Sequence, residues 1–560
     1  MSAQAREANG PRRRLARFRP LLWALLAAVL PGAPPPVLAL GPTAQVDSAP
    51  LAEAESLASD AYLHGGRTAV LLRQGVLVVT LPLLELPLGD GSLRFQLTGI
   101  SGSPGGSWLG PGWGSSLETR LLPSGPDVYA VEPPGTARRF LGQQGRLVAE
   151  RGNATLRAAA GGYVVEEPAG ARRFDAEGWL RALSVGGNEV TVEGPADRPT
   201  ALRSADVTLL ELRFADNGRL IQARDALGRT ARLDYDSAGR LVRVTDFTDL
   251  ASTFAWDGEG RLARLSAPQG GEVAVEYDAR GRVTRLQGPG TAVTALHYGE
   301  DGESLSTTLT DPAGRTLAWR FRKDGREVRV TDAGGGVTTK TFDGQGRLVQ
   351  MTGPGGHTLA FAYDARGRLV SRTAPDGTRE SFAYEGPGGA LSEVRSPTGR
   401  VALARDPQGR LVGVDDGSTR TAYDYDDQGR LRAVRAGDGG AVTLVRDALG
   451  RVTEAAGPDG TRERYTYDAL GNPLTAVDAL GRRTEFFYDR TGRPRGHRDP
   501  DGRTHLLQVA PDGRQVRQVD GRGNQVVATL DAQGEPAAVE VNGRRTTYVR
   551  DVLGRLAEVG

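Results

Sequence analysis

An aromatic-Asp-x-x-Gly-Arg-Leu segment returns on a 21-residue beat through the last two thirds of the chain, and this period limits the fold more than any other feature. It reads Tyr235-Asp236 with Gly239, Trp256-Asp257 with Gly260, and Tyr277-Asp278 with Gly281. It comes back at Phe342-Asp343, at Tyr363-Asp364 with Gly367, at Tyr425-Asp426, at Tyr467-Asp468 with Gly471 and at Tyr488-Asp489 with Gly492. Degenerate copies fill the gaps at Tyr384-Glu385, Arg405-Asp406, Arg446-Asp447 and Arg550-Asp551. A short fixed period means one supersecondary unit copied many times, each copy burying its apolar face on its neighbours. Such chains usually build surfaces, not active sites.

Two apolar rhythms share each copy. Before the aromatic residue the pattern alternates, as in Val273-x-Val275-x-Tyr277 and Leu359-x-Phe361-x-Tyr363. Period two with aromatic and β-branched residues predicts a strand with one buried face. After the glycine the pattern becomes apolar, two spacers, apolar, as in Leu241-x-x-Val244 and Leu262-x-x-Leu265. In a flat strand those two positions face opposite sides, so a bulge is expected in the second strand, one extra residue restoring a common face.

Asp-x-x-Gly between the strands is a turn with a mechanism. The carboxylate accepts a backbone N–H two residues on, and the glycine takes a positive φ without a Cβ clash. A second turn lies half a period away, at Asp225, Asp311, Asp478 and Asp499 and in the Pro-Asp-Gly segments ending at Gly377 and Gly460. Each unit is then two short strands and two turns, and the fold class expected is all-β, a repetitive antiparallel hairpin ribbon.

These units resemble the YD repeats of the RHS (rearrangement hotspot) family, shared with the B and C components of insecticidal toxin complexes and with teneurins. The resemblance covers roughly residues 170–560. It implies a ribbon that spirals into a closed β-shell around a cavity. The segment Gly110-Pro111-Gly112-Trp113 resembles the Gly-Pro-Gly-Trp signature that precedes the repeats in such chains; its glycines permit tight turns and its Trp plugs an end of the sheet. The organisation expected is a signal peptide at 1–39, a flexible linker at 40–66, a β-rich N-terminal cap at 67–170 and the repeat array at 171–560, opening on Phe174-Asp175 and Gly178.

The amino end carries Arg12, Arg13, Arg14, Arg17 and Arg19, then an apolar run from Leu21 to Leu30, then a Pro-rich stretch to Ala39. A basic region, a short apolar core and small residues describe a secretory signal peptide, with cleavage expected after Ala39 by the Sec route over twin-arginine export. The apolar core is too short to span a bilayer, so no transmembrane anchor is expected. The protein is read as exported: secreted, periplasmic or on the cell surface.

The chain has no cysteine, which removes disulfides, thiolate chemistry and a lipid-attachment cysteine. The net charge is +2, with Arg and Asp mixed through every repeat, so no basic block tracks a nucleic acid. The Arg ladder (Arg240, Arg261, Arg282, Arg347, Arg368) is read as stacking on neighbouring aromatics or pairing with the turn Asp of an adjacent unit, in preference to a polyanion track.

The search for chemistry gives little. His64, His297, His357, His497 and His505 share no metal-binding spacing, so a zinc site would be accidental, and His497 with His505 reads as a solvated pair across a hairpin. The start of an EF-hand-like loop at Asp424, Asp426 and Gly429 has Arg435 where a bidentate Glu is needed, and reads as a repeat turn. Nearly every Asp is used by a turn, so no catalytic pair stands out. The expectation is a non-enzymatic scaffold with no cofactor and no metal. The family resemblance implies the encapsulating part of a bacterial polymorphic or contact-dependent toxin system, with inward aromatics such as Tyr235, Trp256, Tyr277 and Tyr363 expected to face a toxin cargo or C-terminal continuation. The alternative is an envelope or surface adhesion module that binds glycans or partner cells. The last strand, with Leu556 and Val559, reads as an unpaired edge: either the chain continues beyond Gly560 or the strand finds a partner.

Overall fold

The computed structural model describes residues 61–560 apart from 65–67, 89–90, 104–105, 126, 133–135, 144–145, 150–153, 168–169, 268–270, 289–292, 325, 386–388, 438, 490–491, 511–514, 531–535 and 551–555. The signal-peptide reading and nearly all of the linker reading lie outside the described residues, as does the Asp551 turn.

Among the described residues there is no helix, and so none long and apolar enough to cross a membrane. Five strands form a first sheet, in the order Ala61–His64, Thr68–Leu71, Val76–Leu88, Gly91–Ile100 and Trp113–Ser115. From Arg120–Ser124 to Leu556–Val559 the strands form antiparallel hairpins, each paired with its sequence neighbours. The strands between Arg120 and Glu167 are continuous with this ladder, so the separate N-terminal sheet ends at Ser115.

The bulge falls where the apolar spacing demands it. Asp234 pairs with Arg243, but Tyr235 pairs with Leu241, leaving Val242 as the extra residue. Leu241 and Val244 are consequently both buried. The same shift recurs at Trp256 against Leu262, Tyr277 against Val283, Tyr363 against Leu369 and Tyr467 against Pro473.

The core is continuous across the two sheets in the first part of the array, and the turn leucines Leu449 and Leu470 of later repeats join it. Leu77, Phe95 and Trp113 of the N-terminal sheet share one apolar cluster with Leu233, Phe254 and Val275 of the repeats. Later repeats form smaller clusters of their own, one around Phe361 and Phe382, the next around Tyr465 and Phe486. Trp113 is 2% exposed and meets Phe254 edge-on at 4.9 Å. It is a packing residue between the N-terminal sheet and the repeats. The ladder also comes back on itself: Arg493 donates to Thr248 Oγ1 at 3.1 Å, 245 residues away. Strand Leu556–Val559 pairs on one side with Arg544–Arg550.

Candidate functional site: the turn row and the sheet docked along it

The unit of the site is the Asp-x-x-Gly-Arg turn. In the first full copy, Asp236 Oδ1 accepts the N–H groups of Ala238 (3.0 Å) and Arg240 (2.9 Å), while Oδ2 accepts Arg240 Nε at 2.7 Å. The main chain closes the turn with Gly239 N–H to Asp236 C=O at 2.9 Å, and Gly239 has φ +73°, which a side chain would resist. The geometry repeats at Asp257, Asp278, Asp343, Asp364 and Asp426. It also repeats in the half-period turns at Asp225, Asp311 and Asp478, so both turns of a unit are one device. Burial alone would raise Asp257. The backbone N–H of Arg261 and its guanidinium outweigh that and hold the carboxyl below its usual range.

The Arg–Asp pair lies within one turn, four residues apart, and does not link adjacent units as the sequence reading allowed. The turn folds Arg347 Nε back onto Asp343 Oδ2 at 2.7 Å, and what reaches the following unit is Nη1, which donates to the main-chain carbonyl of Asp364 at 3.2 Å. The stacking half of that reading holds: Arg261 lies over Tyr277 at 4.8 Å, Arg282 over Tyr298 at 4.6 Å and Arg347 over Tyr363 at 4.9 Å, each on the aromatic of the following unit. The guanidiniums are committed to carboxylates and rings, so the ladder offers no free cationic track.

The Tyr and Trp members of the aromatic column also have a polar duty. Tyr235 donates its hydroxyl to Leu220 C=O at 2.8 Å, Trp256 its Nε1–H to Leu241 C=O at 2.9 Å, and Tyr363 its hydroxyl to Leu348 C=O at 2.9 Å. The acceptor is the residue set opposite the preceding unit's aromatic position, beside the extra one, 15 positions back in these copies and 14 from Tyr425 to Leu411. Tyr467 and Tyr488 repeat the bond to Val452 and Pro473. In the degenerate copy at Arg446 the guanidinium Nε takes over, reaching Leu431 C=O at 3.0 Å. These aromatics are half-buried and tied to the backbone of their own wall.

The N–H of the same residue, beside the bulge, is turned outward as well, and the N-terminal segment is laid along that row. Leu220 N–H donates to Trp108 C=O (3.0 Å), Leu262 N–H to Ser101 Oγ (3.0 Å) and Val283 N–H to Gly75 C=O (2.8 Å). Tyr277 donates to Leu262 C=O at 2.8 Å, which leaves the Ser101 hydroxyl to donate to Tyr277 Oη at 2.7 Å. Burial pushes Tyr277 up to about 12, so the phenol stays protonated. At Gly110, φ is +97° and a Cβ would stand 2.5 Å from Gly239 C=O, so only glycine lets the Gly110-Pro111-Gly112-Trp113 segment lie against the first turns.

Sequence reasoning missed Glu118, behind this contact. Its Oε2 accepts Ser115 N–H at 2.8 Å, and burial among Trp108, Ser107 and Tyr235 raises its pKa to about 7. A single Glu after a strand carries no signal that distinguishes it. The reading of His497 and His505 as a solvated pair is overturned. His497 is 1% exposed and the rings stack at 4.4 Å beside Asp499, because the strand register sets His497 opposite His505 and Phe486 lies alongside. Burial, then the neighbouring His505, lowers the His497 pKa. His297 and His357 are exposed. Asp426 accepts Gln428 N–H, Arg430 N–H and Arg430 Nε, which makes the EF-hand imitation a repeat turn.

Residues 190–359 match the teneurin YD-shell family model, and 363–401, 446–481 and 471–504 match the RHS repeat. No curated protein matches the chain. Among solved structures it is similar to the Photorhabdus luminescens Tc holotoxin pore, with a TM-score of 0.41 and 10% identity over 87% of this chain and 34% of that one. It is also similar to TcdB2-TccC3-Cdc42, with a TM-score of 0.44 and 11% identity over 88% of this chain and 32% of that one. The chain thus spans about a third of the length of these structures' chains.

Proposed function

Because this chain belongs to the RHS/YD-repeat family, with repeats matched between residues 190 and 504, we propose that it is the shell-forming, encapsulating part of an exported bacterial toxin system and itself catalyses no reaction. The wall holds a toxic cargo, either a continuation of the chain or a separate polypeptide, away from solvent. The carrying observation is the antiparallel hairpin ladder that comes back on itself where Arg493 meets Thr248. A sheet that winds past its own earlier strands encloses space, and pairing strand after strand leaves few edges open to aggregation. The turn Asp, the Arg and the aromatic are all spent on holding that wall, which fits a container better than a reactive centre. Export rests on the leader read in residues 1–39.

A protease-sensitive reporter appended after Gly560 of the full chain tests this. Encapsulation predicts that the reporter survives a digestion that destroys it when free. Survival is lost when Gly110→Ala loosens the docked sheet. A reporter digested as fast as the free form, together with glycan binding by the chain, would identify an adhesion module and remove the encapsulation reading.

A further inference from the structure

We propose that His497, Asp499 and His505 form a binding site for one divalent cation of the zinc class, which staples the hairpin made by strands Pro494–Arg498 and Thr504–Val509. The argument starts from a departure in the repeat. The turn here reads Asp499-Pro500-Asp501-Gly502, with two aspartates where one suffices. Asp501 Oδ1 accepts Arg503 N–H at 3.1 Å and Asp501 Oδ2 pairs with the Arg503 guanidinium at 2.8 Å. The Pro-Asp-Gly turns at Asp376 and Asp459 use the same later position, with Ala374 and Gly457 at the first. The Asp499 main chain still closes the turn, but its carboxylate is thereby freed and is directed at two imidazoles instead.

The donor spacing suits a metal, which would turn the two stacked rings, now 10° from parallel, so that both Nε2 lone pairs meet it. His497 Nε2 lies 3.3 Å from Asp499 Oδ1, and His505 Nε2 lies 2.8 Å from Asp499 Oδ2. All the ligand atoms fall within 4.8 Å of one another. Two ligands about 2.0–2.1 Å from a tetrahedral zinc stand roughly 3.3 Å apart. His497 Nε2, Asp499 Oδ1 and the Nδ1 atoms of both histidines are buried with no hydrogen-bond partner, which native interiors rarely tolerate. A cation between His497 Nε2, Asp499 Oδ1 and His505 Nε2 satisfies two of these at once. Two imidazoles and one carboxylate select zinc, cobalt, nickel or copper over calcium and magnesium. The fourth position is left for water or an outside ligand.

The location gives the site a purpose. The last apolar cluster among the described residues ends at Phe486, and strands Thr504–Val509 and Gln515–Val519 bury no residue fully. A metal cross-link here holds a part of the wall that has little core.

The test uses the full chain, stripped with chelator and titrated with Zn(II), and with Co(II) for its visible absorption. One equivalent is expected, with the bands of a low-coordinate cobalt site. Zinc should slow amide exchange across 494–509. Asp499→Asn and His505→Gln should each weaken binding by more than the roughly 10–100-fold typical of losing an outer-shell partner. The double variant of His297→Gln with His357→Gln should bind as the parent does. Unchanged affinity in Asp499→Asn and His505→Gln overturns the proposal. So does a folded parent chain, verified by its β-sheet circular dichroism, that takes up no zinc.

Discussion

The hydroxyls of Ser101 and Tyr277 lie 2.7 Å apart across 176 residues of sequence. With Leu262 they close a ring of three hydrogen bonds in which the N–H and C=O of Leu262 are both satisfied. One serine of the N-terminal sheet thus completes what the repeat leaves open. Its neighbours do the same for Leu220 and Val283 with main-chain carbonyls.

Replacing Tyr277 by Phe should destabilise the protein by about 1–2 kcal/mol, the cost of leaving a half-buried carbonyl without its donor. Ser101→Ala should cost about as much, and the double variant less than the two combined, because they share one ring. Thermal or denaturant melts of the four proteins measure this, and strict additivity would mean that the ring does not act as a unit.

Gly110→Ala should be among the most damaging small substitutions. Its φ of +97° disfavours any side chain, and the new Cβ meets backbone oxygen at 2.5 Å. A loss of roughly 2–3 kcal/mol is expected. Amide exchange at Leu220, Leu262 and Val283 should quicken as the sheet lifts from the turns. Unchanged exchange at all three would show that the docking does not depend on this close approach.

The turn carboxylates make the wall acid-sensitive. Asp236, Asp257, Asp278, Asp343, Asp364 and Asp426 are held below their usual range, because the Arg N–H and guanidinium partners outweigh the burial that would raise them. A depressed folded-state pKa gives stability that is complete above the unfolded value, near 4, and is lost as pH falls through the folded value. The melting temperature should therefore drop steeply below about pH 4. Asp257→Ala should cost about 1–2 kcal/mol at neutral pH and much less at pH 2.

Glu118 works in the opposite sense. Its folded pKa of about 7 lies above the ordinary glutamate value of 4.5, so the folded state holds the proton more tightly and stability falls as pH rises from 4.5 through 7. Glu118→Gln removes the charge. Relative to the parent it should gain stability between pH 5 and pH 8, by up to about 3 kcal/mol. A pH-independent difference in melting temperature would show that the carboxylate is not desolvated where it sits.

What was legible in the sequence is what depends on near neighbours. The strand alternation at Val273, Val275 and Tyr277, the turn chemistry of Asp236 and Gly239, and the bulge implied by Leu241 and Val244 each involve residues a few positions apart, and each is present. The Arg stack on the following aromatic also follows from the period, since a hairpin ladder places successive units side by side. Spacing leaves open whether the Arg pairs with an adjacent unit's Asp or stacks on its aromatic, because it does not reveal how tightly a four-residue turn folds back.

The sequence by itself therefore determined the repeating unit: its strands, its turns, its bulge and its all-β class, because those are settled by contacts between residues up to 15 apart. The tertiary structure alone decided which distant parts meet. Whether Arg493 arrives at Thr248, or Ser101 at Tyr277, depends on small twists accumulated over many hairpins, and no local pattern encodes that sum. The same holds for the burial of Glu118. It holds as well for the desolvation of His497 beside Asp499, where exposure is set by what the rest of the chain lays over a strand, not by the strand's own residues.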